Sequence, residues 1–329
     1  MTKVLVTGAS GFVGSHIVDS LQARATPTAV LLRPTTDKRF LSAHLPQLDI
    51  RSGSITDPAT LSPALSGITH VIHCAGCTKA RNNGEFDAIN HLGTRNLVEA
   101  VNNQPGVVRF LQISSLAVTG PATREEPARE DDRPRPISAY GQSKLAAERA
   151  VRELCRVPFT VIRPPAVYGP RDYGFFSMFQ AVDRHLLPRP NRNQFLSLVF
   201  AKDLAEAVVT ALQLPAATGR TYFAAAPEPT TGRAIADEIA RQMKRWTIPV
   251  PLPALALWPI CFSQELFSRV TGRATLLNLQ KFAELRAPGW VCDSSRLQQD
   301  LGIVCGTSLQ SGISQTLAWY REQAWLPKG

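Results

Sequence analysis

Residues 4–14 read VLVTGASGFVG, an apolar run followed by a glycine-rich turn and the start of an apolar-periodic stretch. This order predicts a strand, a tight turn and a helix N-terminus in quick succession. Gly8 would turn the chain sharply, Gly11 would let the backbone approach a ligand, and Gly14 would let the helix pack close to the sheet. Because free N–H groups at a helix start bind anions, the segment predicts a site for a dinucleotide pyrophosphate.

Strand-like and helix-like stretches alternate along the first half of the chain. Short apolar runs predict strands at residues 3–7, 28–32, 48–50, 69–75, 107–114 and 157–162. Helical periodicity predicts helices at 12–24, 58–66, 86–103 and 138–155. This rhythm is typical of an α/β fold with a doubly wound parallel sheet and right-handed crossovers.

The pattern changes after Tyr168. The sequence there predicts a helix at 175–187, a strand at 195–200, a helix at 203–214 and a strand at 222–226. We therefore predict a Rossmann dinucleotide-binding domain and a smaller, mostly helical substrate-binding cap. The first comprises residues 1–170 plus about 198–226, and the cap comprises residues 171–197 plus about 227–329.

Tyr140 and Lys144 occur together in SAYGQSKLAAE, within the predicted helix at 138–155. Their separation is slightly more than one helical turn, so both side chains project from one face. A neighbouring ammonium favours the phenolate form, so we expect Lys144 to lower the pKa of Tyr140. A phenol adjusted in this way acts as a general acid or base.

Two serines end the strand predicted at 107–114, in RFLQISSLAVTG. The carboxyl ends of parallel strands are where ligands bind in an open sheet. Ser115 is the predicted hydroxyl that holds the reacting oxygen, with Ser114 as the alternative. Serines at a strand end also commonly cap the following turn.

The motifs VTGASGFVG, VIHCAG, INHLGTRNLVEA, QISSLAVTGP, YGQSKLAAE and RPPAVYGPRD, in that order, resemble those of the extended short-chain dehydrogenase/reductase family. That family includes the NAD-dependent epimerase/dehydratase group, dihydroflavonol reductases and 3β-hydroxysteroid dehydrogenases. The resemblance covers residues 3–172 and returns in LVFAKDLAEAV and CDSSRLQQDLG. Residues 233–290 resemble nothing diagnostic.

The resemblance implies a catalytic set of Ser115, Tyr140 and Lys144, with Lys144 also binding the nicotinamide ribose. It implies further cofactor contacts along the crevice, at Gly8, Gly11, Phe12, Val13, Gly14, Cys74, Ala75, Gly76, Asn90, Tyr140, Lys144, Pro164 and Val167. It also implies a homodimer formed through the helices at 86–103 and 138–155.

The chain departs from the family pattern after the third strand. Many members carry an aspartate after the glycine there, whereas this chain has Gly53 and then Ser54, with Asp57 later. We assign the adenine contact to Ser54 and Ile55. Thr119 stands where sugar-nucleotide enzymes often carry a tyrosine, which leaves the substrate side less aromatic.

The end of the second strand decides the choice of cofactor. An acidic residue there accepts from a ribose 2′-hydroxyl, whereas an arginine accommodates a 2′-phosphate. This chain has Arg33, with Lys38 and Arg39 close behind. The sequence therefore favours NADP, with NAD as the alternative. In the opposing interpretation Arg33 stacks on adenine or faces solvent.

Composition narrows the possible binding partners and the possible cellular location of the protein. The chain has 329 residues and a net charge of +10, but its basic residues are scattered among acids, which argues against nucleic-acid binding. Its six cysteines include the pair Cys74 and Cys77, which lacks a second pair or a histidine at ligand spacing. We predict no metal site and reduced cysteines. No charged leader with a long apolar core is visible, and we expect a cytoplasmic protein.

The stretch 246–264 carries no charge but contains four prolines, at 249, 251, 253 and 259. The prolines disfavour a membrane span. A buried cap helix, an apolar substrate wall and contact with a membrane surface stay open. The two functional options indicate an apolar ligand.

Three functions fit these residues. The first is an NADP(H)-dependent oxidoreductase that interconverts a ketone and a secondary alcohol on a largely apolar molecule resembling a steroid, flavonoid or hydroxyketone. The second is a nucleoside-diphosphate-sugar epimerase or dehydratase, for which Arg189, Arg192, Arg220 or Arg233 would hold the diphosphate. The third is a non-catalytic NADP-sensing protein, which the intact Ser, Tyr and Lys set disfavours.

Overall fold

The computed structural model of the protein describes residues 2–190, 194–252 and 279–327. The strands are β1 (Val4–Thr7), β2 (Thr28–Leu32), β3 (Asp49–Ser52), β4 (His70–His73), β5 (Arg109–Ile113), β6 (Phe159–Arg163), β7 (Ala166–Tyr168), β8 (Leu186–Pro190), β9 (Phe195–Leu196), β10 (Leu198–Phe200), β11 (Thr221–Phe223), β12 (Thr230–Thr231), β13 (Ile248–Leu252) and β14 (Gly289–Trp290).

The α-helices are α1 (Phe12–Ala23), α2 (Leu61–Ala64), α3 (Asn83–Phe86), α4 (Gly93–Asn102), α5 (Ala139–Leu154), α6 (Tyr173–Asp183), α7 (Ala201–Gln213), α8 (Gly232–Met243), α9 (Leu279–Arg286), α10 (Ser295–Leu301) and α11 (Leu309–Glu322). A π-helical segment, Asp87–Leu92, joins α3 to α4. The helix predicted at 86–103 therefore contains a stretch of i→i+5 hydrogen bonding near its start. The one predicted at 58–66 is a 3-10 turn followed by the short α2.

The central sheet has seven parallel strands in the order β11-β6-β5-β4-β1-β2-β3. From β1 the chain builds outward through β2 and β3, and then crosses back to place β4 on the other side of β1. The strand order reverses between β1 and β4, where the carboxyl ends of the strands open a crevice. The predicted doubly wound α/β fold is confirmed.

Helices cover both faces of this sheet. On one face α1 packs against α7, with Ile17 and Val208 fully buried. On the other face α2, α4 and α5 bury Leu61, Leu97 and Val151. Because both faces are covered, β1 and β2 are buried at every position, which explains their continuous apolar sequence.

Beyond β7 the structure departs from the predicted elements. The helix predicted at 175–187 is α6, which ends earlier, and Leu186 and Leu187 belong to β8. Asp172 caps the start of α6. His185 has a φ of +62°, a left-handed conformation that terminates a helix. The apolar pattern runs on past this point, so it could not mark the boundary.

The strand predicted at 195–200 is two strands, β9 and β10, in different sheets. Ser197 separates them, because its amide donates to the carbonyl of Trp290 at 2.8 Å and its hydroxyl accepts from the amide of Cys292 at 3.1 Å. β9 pairs with β12 and β14, whereas β10 pairs with β7. The strand predicted at 222–226 is β11, which ends at Phe223.

Residues from β7 onward form a further apolar cluster, in which Phe179, Ile239 and Tyr320 are fully buried between α6, α8 and α11. Small sheets accompany these helices, including the parallel pair β8 and β13. α7 and β11 return to the central sheet. The division into domains at 170, 198 and 226 stays a prediction.

Of the uncharged stretch 246–264, the structure describes residues 246–252, of which the last five form β13. The cap helix, substrate wall or membrane contact was considered for residues 246–264, of which 248–252 form a strand and not a helix. Residues 253–264 lie outside the described residues. In the described ranges, no helix combines the length and the apolar character needed to cross a bilayer.

Candidate active site

The glycine turn after β1 fits its predicted role. Gly8 has a φ of +70°, and a Cβ on it would lie 2.7 Å from Ala75 Cα. A Cβ on Gly14 would overlap the carbonyl oxygen of Gly8. The turn, the end of β4 and the start of α1 therefore meet at distances that only glycine allows.

The start of α1 is suited to an anion. Gly11 is the N-cap residue and supplies no side chain to the first-turn N–H groups, and that turn contains no acidic residue. A Cβ on Gly11 would meet only the Gly8 carbonyl oxygen, at 3.3 Å, so the space in front of it is open. Phe12 and Val13 begin the helix and present their amides there. The residues present thus fit a dinucleotide pyrophosphate.

Ser115, Tyr140 and Lys144 come together at the carboxyl end of β5. The Tyr140 hydroxyl is hydrogen-bonded to the Ser115 side chain. Lys144, which is 8% exposed, donates from Nζ to the carbonyl of Ile113 at 2.6 Å. Ser114 faces the other way and donates to Glu148 at 2.5 Å. The geometry therefore favours Ser115 over Ser114 as the hydroxyl beside the phenol.

The pKa of Tyr140 differs from the expectation. Loss of hydration raises it to about 12, the hydrogen bond with Ser115 opposes this, and the charge of Glu284 on α9 adds to it. Burial also lowers the pKa of Lys144. The expectation that Lys144 lowers the pKa of Tyr140 was wrong. Desolvation outweighs the other influences on that pKa, and the Lys144 ammonium is directed at a backbone carbonyl.

Asn90 fixes the loop that follows β4. It lies in the π-helical segment and is 1% exposed. Its Nδ2 donates to the Cys77 carbonyl at 3.0 Å and to the Ser143 hydroxyl at 2.9 Å, while its Oδ1 accepts from the Cys77 amide at 2.8 Å. Gly76 lies against this side chain, because a Cβ on it would be 2.9 Å from Asn90 Oδ1. Asn90 therefore ties the Cys74–Ala75–Gly76 turn to α5.

Pro164 and Val167 lie on the other side of the Ser115 turn. The Pro164 carbonyl accepts from the Leu116 amide at 2.9 Å. Val167, on β7, pairs with Val199 of β10. The Pro164 carbonyl holds the segment after Ser115 beside the end of β6. The contact of Pro164 and Val167 with a nicotinamide stays a prediction.

The residues predicted for the adenosine end are less closely grouped. Arg33 follows β2 directly and is exposed. Arg39 is bound elsewhere, to Asp37 at 2.5 Å and to the Tyr173 hydroxyl at 3.2 Å. Three cations were named for a 2′-phosphate, and all of them lie in the described part of the chain. Arg33 and Lys38 are exposed, and within the described residues no side-chain hydrogen bond or ion pair like that of Arg39 holds them there.

Ser54 and Ile55 follow β3. The Ser54 amide donates to the Thr60 hydroxyl at 3.0 Å. Ile55 is 6% exposed, and a Cβ on Gly93 would lie 2.7 Å from its Cδ1. The Ile55 side chain therefore packs toward α4, so that only its backbone can face a ligand. Asp57 caps the next turn by accepting from the Ala59 amide.

The structure also bears on the predictions for the cysteines and for a metal site. Cys74, Cys77, Cys155, Cys292 and Cys305 are free thiols. Burial raises the pKa of Cys74 to about 11, which disfavours a reactive thiolate. No group of side chains suited to a metal ion occurs in residues 2–190, 194–252 and 279–327.

Sequence reasoning missed one element of the site, the buried pair of Glu148 and Arg163. Glu148 lies on α5 one turn after Lys144 and is 1% exposed, and its carboxylate binds Arg163 at 2.7 Å. A signal was present, because a glutamate one turn after the lysine falls on the same helix face. That spacing does not show which residue the carboxylate pairs with.

Residues 4–225 match the NAD dependent epimerase/dehydratase family. The chain belongs to this family. It is therefore an NAD(P)-dependent oxidoreductase with chemistry at CH–OH groups, either as a net reaction or within an epimerisation. The match confirms the family that the motifs indicated.

Relatives within the family differ in substrate. The chain is 27% identical over 326 residues to the ceramide reductase of Caulobacter vibrioides, covering 99% of this chain and 96% of that protein. It is 27% identical over 334 residues to the UDP-glucose 4-epimerase of Vibrio cholerae, covering 95% and 94%. The UDP-glucose 4-epimerase of Thermus thermophilus, in complex with NAD, superposes with a TM-score of 0.78 over 97% of this chain and 99% of that one, at 24% identity. This last likeness concerns the fold.

Proposed function

We propose that the protein interconverts a ketone and a secondary alcohol on a largely apolar molecule, with NADP(H) as cofactor. The observation that carries this proposal is the Tyr140 hydroxyl, bonded to Ser115 and with its pKa raised to about 12. A phenol with that pKa keeps its proton near neutral pH. It is therefore suited to donate a proton to a ketone oxygen as the carbonyl is reduced.

Each residue of the set has a distinct task in this proposal. The bound cofactor supplies or accepts the hydride. Ser115 binds the substrate oxygen and orients it toward the phenol. Tyr140 gives its proton to that oxygen in reduction and takes it back in oxidation. The Lys144 ammonium, fixed by the Ile113 carbonyl, places a positive charge beside the site and favours the deprotonated phenol once the proton has left.

Two observations support an apolar substrate. The ring of Phe86 lies 6.1 Å from that of Tyr140, so an apolar side chain packs beside the Tyr140 ring. One relative that matches 99% of the chain is a ceramide reductase, and ceramide is a lipid. We infer that the substrate is a lipid-like ketone or alcohol.

Of the arginines named for a sugar diphosphate, Arg189 and Arg233 face one carboxylate, whereas Arg220 is exposed and directly precedes β11, at the sheet edge opposite to the crevice. Arg189 binds Asp237 at 2.8 Å, and Arg233 lies 3.8 Å from the same carboxylate. Arg192 is outside the described residues. The epimerase stays the second candidate, because the Vibrio cholerae relative matches 95% of the chain.

NADP is the proposed cofactor because Arg33 is exposed at the end of β2, where a 2′-phosphate would lie. The alternative, NAD, is the cofactor in the Thermus thermophilus structure. A comparison of NADPH and NADH with the same substrate separates the two.

We also propose a homodimer in the cytoplasm, through the surface of α4 and α5. Leu92, at the end of the π-helical segment, is 40% exposed, and Leu145 on α5 is half-buried. These apolar side chains support a partner surface there. Sedimentation showing only monomer would remove the dimer.

The experiment that tests the proposed function uses NADPH or NADH with two panels, one of apolar ketones and one of nucleotide sugars. We expect consumption of reduced cofactor with ketones and an alcohol product. Isomerised sugar without net consumption of cofactor would establish the epimerase. No turnover with either panel, and no difference between the protein and its Tyr140→Phe variant, would favour the non-catalytic sensor.

A further inference from the structure

Glu148 lies beneath the proposed catalytic set and has no part in the steps above. It is on α5, one turn beyond Lys144 and two turns beyond Tyr140, so the three side chains share a helix face. Glu148 is 1% exposed. A buried carboxylate without a partner is strongly disfavoured. The partners of Glu148 therefore show which parts of the structure it holds together.

The Glu148 carboxylate joins three elements. Oε1 accepts from the Ser114 hydroxyl at 2.5 Å and from Arg163 Nε at 2.8 Å. Oε2 accepts from Arg163 Nη2 at 2.7 Å. Ser114 follows β5 directly and Arg163 ends β6. One buried side chain on α5 therefore fixes the carboxyl ends of two neighbouring strands.

Arg163 is itself held on its other side. It is 3% exposed, and its Nη1 donates to the Glu130 carbonyl at 3.2 Å. The Glu130 carboxylate accepts from the Phe223 amide at 3.0 Å. Because both members of the pair are enclosed and bidentate, the carboxylate has little freedom to rotate away from Ser114.

Ser114 stands between the two residues that contact Tyr140 and Lys144. The carbonyl of Ile113 accepts from Lys144, and the side chain of Ser115 bonds to Tyr140. We propose that Glu148 is a positioning residue that, through Ser114, holds the end of β5 where Ser115 and the Ile113 carbonyl meet Tyr140 and Lys144. The inference rests on the proposed function, because it concerns the same set of residues.

Charge gives Glu148 a second effect. Its carboxylate raises the pKa of Lys144, as do the Cys74 and Cys77 sulfurs, against the lowering by burial. The two thiols have raised pKa values and are neutral near pH 7. His73, whose pKa burial lowers to about 3, is neutral as well. Glu148 therefore supplies the negative charge that helps Lys144 to stay protonated.

Glu148→Gln tests the proposal, because it keeps the shape and removes the charge. The control is Glu153→Gln, an exposed glutamate on the same helix. We expect Glu148→Gln to lower kcat by about 10- to 100-fold, as for a small displacement of reacting groups. The alkaline limb of its kcat profile in reduction should move to lower pH, because Lys144 loses its proton sooner. The NADPH affinity of Glu148→Gln, measured by fluorescence, should equal that of the wild type. Glu153→Gln should have wild-type kcat, pH profile and NADPH affinity.

Ser114→Ala provides a second test that keeps the Glu148–Arg163 pair. We expect a lower kcat, an unchanged melting temperature to within about 3 °C, and no displacement of the alkaline limb, because the carboxylate remains. If Glu148→Gln does not fold, Ser114→Ala decides the proposal. A folded Ser114→Ala variant with wild-type kcat would overturn the proposal. A folded Glu148→Gln variant with wild-type kcat and pH profile would do the same.

Crystal structures of both variants give a readout that does not require turnover. We expect the Ser115 Oγ to Tyr140 hydroxyl distance to exceed hydrogen-bond length in at least one of them. An unchanged distance in both would overturn the positioning role. If the wild-type protein isomerises sugars instead of reducing ketones, the proposed function fails, while the kinetic and structural comparisons are still made on that reaction.

Discussion

The two ends of the cofactor crevice are built differently. At the proposed nicotinamide end, Lys144 is buried and bonded to a backbone carbonyl, and Tyr140 is bonded to Ser115. At the proposed adenosine end, Arg33 is exposed and follows its strand directly. The first end depends on groups held inside the sheet edge, and the second depends on side chains at the surface.

The difference between the two ends indicates which residues set the reaction rate and which set the choice of cofactor. Buried groups that bond to the backbone keep one geometry, as hydride and proton transfer require. An exposed arginine contributes through a charge-assisted bond that can be lost without disturbing the fold. Substitutions at the two ends should therefore change different kinetic constants.

The largest effect is expected at the nicotinamide end. Tyr140→Phe removes the proton donor and should lower kcat by about 100- to 10,000-fold. NADPH affinity should change little, because the ring of residue 140 is kept. Stopped-flow kinetics and fluorescence titration measure the two quantities. Equal losses of kcat and of affinity would break the comparison.

Gly14→Ala acts at the turn that both ends share. A Cβ there would overlap the Gly8 carbonyl oxygen, so the turn must shift. We expect weaker binding of both NADPH and NADH, by about 10- to 100-fold, from strain of this size. Gly106→Ala is the control, because its Cβ would meet its neighbour at an ordinary 3.4 Å. Wild-type affinity in Gly14→Ala would contradict the assignment of the turn.

Arg33→Ala acts at the adenosine end of the crevice. Loss of a charge-assisted bond to the 2′-phosphate should raise KM for NADPH by about 10-fold and leave kcat and KM for NADH unchanged. Arg39→Ala is the matched control, since Arg39 is already bound to Asp37. An equal effect on NADPH and NADH would assign Arg33 to a role other than phosphate recognition.

The smallest effect is a shift in pH dependence. Burial lowers the pKa of Lys144 while that of Tyr140 is raised to about 12, so on raising the pH the lysine loses its proton first. Reduction should decline at a pH below the ordinary range of a lysine. In Lys144→Arg the residual activity should persist to higher pH, because a guanidinium keeps its proton. Coincident alkaline limbs would assign the decline to another group.

The sequence predicted the crevice well because its constraints are local. Gly8 and Gly14 are required by close backbone approach, and Tyr140 and Lys144 are joined by helix geometry. The family match extends over this region, residues 4–225. Patterns of spacing carry such features because each depends on residues adjacent in the chain or on one helix face.

The rest depended on contacts between distant residues. Ser197 divides a continuous apolar run because it bonds to Trp290 and Cys292, which no local pattern shows. The raised pKa of Tyr140 depends on how tightly the site is enclosed, so a nearby lysine alone gave the wrong direction. The partner of Glu148 likewise lies on another element, at Arg163.

The most direct test of the account follows the hydride itself. The protein is given a lipid-like ketone and NADPH that carries deuterium at the transferred position, and the product is analysed by mass spectrometry. We predict a secondary alcohol that carries deuterium at the former carbonyl carbon, with almost none formed by Tyr140→Phe. Recovery of the ketone unreduced and unlabelled, with isomerisation of a nucleotide sugar in a parallel reaction, would contradict the account.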